Sequence, residues 1–294
     1  MKSGLVSVVG RANAGKSTLI NVLVGEKIAI VSPKPQTTRD RILGVLTTDE
    51  YQIGFIDTPG IYKADNLLNS FMQKTTTDSC QDVDVILFIL DAHEGISDTD
   101  RVLLEKYTKL QVPTVIALTK IDIMPESLLI SELKQLSEFN ADIVPVSARK
   151  GKNVKEIIKV ILDKLPTGDK LFSEDIISDR SEKFMISEIM REKILLKFDK
   201  EIPHGVAIIV NKFARGDNGR AYDISLDIVC EKPNHKAILI GKGGSAIKQV
   251  SSFARQDMEK FLGEKVYLTT YVKVKEDWRN SAFLMKEYGY SEDN

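Results

Sequence analysis

Through the first half of the chain, short unbroken apolar runs alternate with stretches in which apolar residues recur every three or four positions. The runs at 5–9, 42–47, 52–56, 85–90, 112–118 and 143–146 predict strands. The stretches 66–79, 98–109, 126–139 and 154–165 predict helices. Continuous apolar character at 85–90 and 114–118 suits central parallel strands covered on both faces. This alternation predicts a doubly wound α/β domain with a mostly parallel sheet and ligands at the carboxyl ends of its strands.

The pattern breaks after Leu165. Residues 166–181 are polar and turn-like, and they read as an interdomain linker. A long amphipathic helix is predicted at 182–200, then strands at 205–213 and 222–230, helices at 235–240 and 245–262, and a strand at 265–274. The expected division is therefore 1–165, a linker at 166–181, an α+β domain of order α-β-β-α-α-β at 182–276, and a C-terminal tail at 277–294.

Composition adds limits. A chain of 294 residues suits about two domains. The net charge of −1 predicts no general affinity for polyanions, so a nucleic-acid site must arise from local charge. Such a place exists: residues 232–275 hold nine Lys or Arg against three acids, a local +6. Cys80 and Cys230 have no metal-type spacing and read as small core residues in a reducing cytosol. No signal peptide precedes the first predicted strand, and the longest apolar stretch is too short to span a bilayer.

Chemistry enters after the first strand. Gly10-Arg11-Ala12-Asn13-Ala14-Gly15-Lys16-Ser17 matches G-x-x-x-x-G-K-[ST], a loop whose backbone N–H groups surround phosphates. Lys16 is expected on the β- and γ-phosphates, Ser17 on Mg²⁺, and Thr18 in the first turn of the helix that follows. Thr119-Lys120-Ile121-Asp122 follows a strand. There the Asp122 carboxylate can accept from guanine N1–H and N2–H₂, donors that adenine lacks. Two such contacts predict roughly a hundredfold or greater preference for GTP. Lys120 would cover the base, and Ser147-Ala148-Arg149 would bring a backbone contact to guanine O6. Asp57-Thr58-Pro59-Gly60 supplies a carboxylate that would hold Mg²⁺ through water and a glycine N–H for the γ-phosphate. The loop Gln36-Thr37-Thr38-Arg39 should complete the Mg²⁺ shell, through Thr38 first and Thr37 second. Ile61 stands where Ras-like enzymes carry a water-orienting Gln, so hydrolysis is expected on the order of 10⁻³ s⁻¹ or slower without a partner.

In the second half, Ile240-Gly241-Lys242-Gly243-Gly244 resembles the I-G-x-x-G loop of a KH domain, and the element order resembles the type II KH fold. The glycines would admit a nucleic-acid backbone, with Lys242 and Lys248 on phosphates. Phe253 reads as core, so recognition through base edges and backbone is expected rather than stacking. A nucleotide-driven RNA-modifying enzyme would need further catalytic residues, and no Cys or His cluster offers them.

The five nucleotide motifs, in order over 5–165, resemble the translation-factor-related GTPases. Joined to a type II KH domain, they resemble the Era family of bacterial GTPases over nearly the whole chain. Residues 188–193, 201–204 and 272–279 carry the likeness further. Ala12, Ala14 and Gly205 depart from the family's usual Pro, Val and Ser. The resemblance implies GTP/GDP and Mg²⁺ as ligands, and binding of the 16S rRNA 3′ end in the 30S ribosomal subunit precursor, favoured by GTP. It also implies cytoplasmic location with peripheral contact at the inner face of the cell membrane, and a monomer is expected. Related GTPases with Asn at the position of Asn13 recruit K⁺ beside the phosphates, which makes Asn13 a candidate potassium ligand.

Overall fold

The computed structural model describes residues 1–60, 65–216 and 219–291. The chain forms two compact units. One comprises Met1–Val31, Thr38–Lys63 and Met72–Arg180, the other Ser32–Thr37, Ala64–Phe71 and Ser181–Asn294.

In chain order the first half contains β1 (Lys2–Gly10), α1 (Lys16–Val24), β2 (Ile42–Thr47), β3 (Tyr51–Asp57), α2 (Leu67–Asp78), β4 (Val85–Asp91), α3 (Asp98–Thr108), β5 (Thr114–Thr119), α4 (Glu126–Leu136), β6 (Asp142–Pro145) and α5 (Val154–Lys164). The sheet order is β2-β3-β1-β4-β5-β6. The β2–β3 pair is antiparallel, and the other pairs are parallel. The chain steps from β1 to one side and then crosses to β4 on the other. That reversal opens a crevice beyond the carboxyl ends of the strands. The segments after β1, β3, β5 and β6 all leave from this edge. Every residue of β4 is buried, as its unbroken apolar run requires of a central strand. β5 begins later than its apolar pattern suggests, because Pro113 has no N–H for the ladder; its carbonyl accepts instead from Ile86 N at 2.9 Å.

The second unit adds α6 (Glu182–Lys197), β7 (Ala207–Arg215), β8 (Ala221–Cys230), α7 (Pro233–Ile240), α8 (Ser245–Leu262), β9 (Lys265–Val274) and α9 (Ala282–Glu287). The order α-β-β-α-α-β is the one predicted. β7 and β8 pair antiparallel, whereas β8 and β9 pair parallel and therefore need the α7–α8 crossover between them. Ile189, Met190 and Ile194 of α6 and Val250, Ala254 and Met258 of α8 share a core with Ile224, Leu226 and Ile228 of β8.

Four local expectations change. Residues 166–180, read as a linker, belong to the first unit. Val45 N donates to Ile177 O at 2.8 Å and Leu43 N to Asp179 Oδ1 at 3.0 Å, so the segment covers the β2 edge. The tail is anchored: Trp278 is fully buried, and its indole N–H donates to Gly205 O at 2.9 Å. Phe253 is 51% exposed rather than core, because the buried stripe of α8 runs 250, 254, 258 and passes beside it. Cys230 is buried as expected, but Cys80 is half-buried.

Candidate nucleotide site and nucleic-acid interface

The loop from β1 to α1 is shaped by its glycines. Gly15, at φ 97, lies in the left-handed region and lets α1 begin immediately, leaving the N–H groups of its first turn without a side-chain cap. Those donors and the positive end of the helix dipole make the turn an anion site. Lys16 is buried, and its ammonium donates to the carbonyls of Gly10 at 3.2 Å and Arg11 at 2.9 Å. Burial lowers its pKa to about 8, against the opposing pull of Asp57. Anionic phosphate beside it would restore the charge.

Three oxygen-bearing side chains meet beside Lys16. Ser17 Oγ donates to Asp57 Oδ2 at 2.6 Å and lies 2.9 Å from Thr38 Oγ1; Thr38 Oγ1 stands 3.4 Å from Asp57 Oδ2. Burial pushes the Asp57 carboxyl up, with the Lys16 charge and the Ser17 and Thr38 hydrogen bonds opposing it. Asp57 Oδ1 is buried with no hydrogen-bond partner among the described residues. A buried carboxylate with an unused oxygen beside two hydroxyls fits a small hard cation such as Mg²⁺. Of the two threonines considered, Thr38 joins this cluster. Thr37 turns to its own loop, donating to Lys34 O at 2.6 Å. Gln36, at φ 59, donates from Nε2 to Asn69 Oδ1 at 3.0 Å; Gln36 and Thr37 belong to the second unit, while Thr38 and the buried Arg39 belong to the first.

Thr58 Oγ1 donates to Val8 O at 2.7 Å, and Pro59 O accepts from Thr76 Oγ1 at 2.9 Å. These bonds fix the turn that ends in Gly60. A Cβ at Gly60 would stand 2.6 Å from Ala12 Cα, so this glycine backbone rests directly on the phosphate loop. Ile61 lies outside the described residues.

At the neighbouring strand ends, Asp122 accepts from Ser147 Oγ at 2.6 Å, a bond that holds its carboxyl below the usual range and leaves it a charged acceptor. Lys120, in the left-handed region at φ 60, is paired with the buried Asp91 carboxylate. Thr119 behaves differently from a base ligand: its hydroxyl lies 2.7 Å from Ala14 O and 2.9 Å from Leu90 O. It ties the phosphate loop to β4. Ala148 and Arg149 occupy the turn after β6, closed by Lys150 N donating to Ser147 Oγ at 3.1 Å. Two positioning residues escaped the sequence reading. Asp91 orients Lys120, and the buried Asp100 accepts from Arg11 Nε at 2.8 Å. Only the tertiary fold joins them to the motifs.

In the second unit, α7 ends at Gly241, whose φ of 73 and close approach to Ala246 exclude a side chain: a Cβ would lie 2.7 Å from Ala246 Cβ. Gly243 and Gly244 also have positive φ, with open space beside them. The start of α8 has no side-chain cap. Lys242 and Lys248 are exposed and make no ion pair among the described residues. Other basic residues of the stretch are neutralised locally, as in Arg255–Glu259 and Lys273–Asp227. Ile240 is half-buried at the base of the turn. The result is a bare helix N-terminus, open glycine backbone and two unpaired cations, a combination that accepts phosphodiester. Among the described residues no group of His, Cys, Asp and Glu is arranged to hold a metal, and no helix is long and apolar enough to cross a membrane.

Residues 5–120 match a family model described as 50S ribosome-binding GTPase, and residues 201–279 match a KH domain model. The chain is 45% identical over 292 residues to GTPase Era of Clostridium kluyveri and 46% identical over 293 residues to that of Clostridium novyi, in each case covering 99% of both chains. Among solved structures, a variant of Aquifex aeolicus Era bound to GDP.AlF4- superposes with a TM-score of 0.93 at 40% identity, covering 99% of this chain and 100% of the other. A crystal structure of Era in complex with MgGDPNP and nucleotides 1506-1542 of 16S ribosomal RNA superposes with a TM-score of 0.95 at 39% identity, covering 99% of each chain.

Proposed function

This chain belongs to the Era family of GTPases, and from that premise we propose that it is a GTP-gated rRNA-binding protein that assists assembly of the 30S ribosomal subunit. It binds and hydrolyses GTP in the 1–165 domain and binds the 3′ end of 16S rRNA through the 182–276 domain. The observation that carries the reading is the coexistence, in one chain, of the Ser17–Thr38–Asp57 cluster and the open Gly241–Gly244 cradle beside Lys242 and Lys248. RNA binding by a relative in its MgGDPNP form supports the choice of RNA and of nucleotide state.

In this mechanism the backbone of the 10–17 loop and Lys16 hold the β- and γ-phosphates, and Gly60 N–H meets the γ-phosphate. Mg²⁺, when bound, offsets the charge that develops on the phosphoryl oxygens. Ser17, Thr38 and Asp57 would hold it. Asp122 selects guanine, Lys120 covers the base, and Thr119 keeps the loop in register with β4. Ile61, where Ras-like enzymes carry a water-orienting Gln, supports slow hydrolysis without a partner. Asn13, at φ 64 in the phosphate loop, is the proposed K⁺ ligand; equal hydrolysis rates in K⁺ and Na⁺ would refute that part. Action on the 30S precursor in the cytoplasm, as a monomer, completes the reading, and peripheral membrane contact is supported by the family resemblance alone.

The test is the affinity for an RNA with the sequence of the 16S rRNA 3′ end, measured with a non-hydrolysable GTP analogue, with GDP and without nucleotide. Tighter binding with the analogue is expected. Equal affinity in all three states would overturn the gating, and no binding in any state would overturn the choice of RNA.

A further inference from the structure

Within the first unit, the segment that covers the β2 edge is anchored at both ends. At its start the buried Gln52 side chain accepts from the N–H groups of Leu171 and Phe172, at 2.7 and 2.9 Å, and donates to Phe172 O at 2.9 Å. Phe172 and Ile176 pack against the core that holds Leu43 and Val45. From there the contacts fall on every second residue and run back along β2 toward its start. Val45 N donates to Ile177 O and Leu43 N to Asp179 Oδ1. Arg41 O then accepts from Arg180, from Nε at 2.9 Å and from Nη2. Arg180 Nη2 also lies 3.1 Å from Asp40 Oδ1. The β2 ladder begins only at Ile42, opposite Asp57. Residues 39–41 therefore carry Thr38 ahead of the first rung, and Arg180 holds two of those three.

We infer that Arg180 is a positioning residue for recognition of the γ-phosphate. By fixing the Asp40 carboxylate and the Arg41 carbonyl it sets where Thr38 stands relative to Ser17 and Asp57, an inference that rests on the role proposed above for Thr38. Covering an edge strand needs only the bonds to Leu43 and Val45. The charged contact at 40–41 lies beyond the first ladder pair, so it acts on the lead-in to Thr38 rather than on the sheet. A planar guanidinium suits the task, because its fork meets a carboxylate and a carbonyl at once; a lysine ammonium does not reproduce that geometry. The Arg180 and Asp40 side chains are each 15% exposed, so water and salt screen the pair less than an open surface pair. The other end of the cover is fixed by Gln52 and the core, which gives Arg180 a rigid base to hold from.

The test uses the full chain and reads the ratio of affinities for a non-hydrolysable GTP analogue and for GDP, measured with fluorescent nucleotides at saturating Mg²⁺. Thr38 serves the triphosphate state, so its misplacement should weaken the analogue and spare GDP. Arg180→Ala is expected to lower the ratio about fivefold, the effect of losing a charge-assisted contact at a part-exposed site. Thr38→Ala should lower it at least as much. The double variant should fall no further than Thr38→Ala alone, because Arg180 acts through Thr38. Multiplying losses, or an unchanged ratio in folded Arg180→Ala, would overturn the inference. So would an equal loss for both nucleotides, the sign of a merely structural role. If Arg180→Ala does not fold, Arg180→Lys carries the same comparison, again with a lowered ratio expected and an unchanged one overturning. Failure of the underlying role of Thr38 looks different: Thr38→Ala itself would then leave the ratio unchanged, and the inference would fall with it.

Discussion

Substituting Gly60 by alanine should separate GTP hydrolysis from nucleotide binding. The added Cβ would stand 2.6 Å from Ala12 Cα, 2.8 Å from Ala12 N and 3.0 Å from Ala12 Cβ. Carbon contacts settle at about 3.5–4.0 Å, so one backbone must retreat by roughly 1 Å. Neither can yield as a flexible side chain would. The phosphate loop is held by Thr119 through Ala14 O, and the Gly60 turn by the Thr58–Val8 and Thr76–Pro59 bonds. A displacement of about 1 Å in a group that meets the reacting phosphoryl costs roughly a hundredfold in rate. GDP lacks the γ-phosphate that the Gly60 N–H is proposed to meet. Single-turnover release of phosphate from GTP should therefore fall about a hundredfold, while GDP affinity changes less than threefold. The melting temperature serves as the folding control. An alanine variant that hydrolyses GTP at the wild-type rate would refute the steric argument. Equal loss of GDP and GTP binding would refute the assignment of Gly60 to the γ-phosphate side.

Three further outcomes follow from individual groups. Ser147→Ala removes the hydrogen bond that holds the Asp122 carboxyl low, and should weaken GTP binding about tenfold with little effect on stability, as titration with labelled GTP would show. Lys16 has a folded pKa lowered from 10.5 to about 8, so the nucleotide-free fold binds fewer protons than the unfolded chain between those values; its stability contribution from this group should rise with pH across that window. Phosphate binding needs the charged amine, so GTP affinity should fall above pH 8 with proton uptake in calorimetry, and a pH-independent affinity to pH 9.5 would contradict the assignment. Lys242→Ala and Lys248→Ala should each weaken RNA binding and reduce the slope of log affinity against log salt by about 0.7, whereas an unchanged slope would remove that residue from the phosphate contacts.

What the sequence made legible was whatever chemistry demands at fixed spacing. The motifs pointed to residues that the structure gathers, Ser17 with Thr38 and Asp57, and Ser147 with Asp122, and to open backbone at Gly243 and Gly244. Patterning likewise predicted β4 and α8, because one is buried on every side and the other carries a stripe. Roles set by tertiary neighbours were hidden. Thr119 reads as a base ligand in its motif, yet its hydroxyl meets Ala14 O and Leu90 O, partners far away in the chain. Asp91 and Asp100 belong to no motif and gain meaning only from Lys120 and Arg11. The segment 166–180 looked like a linker because an irregular segment covering a sheet edge needs few apolar side chains; its backbone supplies the bonds. Phe253 looked like core because its apolar character ignores which helix face it occupies.

The central claim is that GTP and rRNA are linked through one protein, and linkage is reciprocal. The most direct measurement is the affinity for a GTP analogue and for GDP, each with and without saturating RNA of the 16S 3′-end sequence. The account predicts that RNA raises the analogue-to-GDP affinity ratio by the same factor by which the analogue, relative to GDP, raises RNA affinity. A ratio that RNA leaves unchanged would show two independent binding modules and contradict the account.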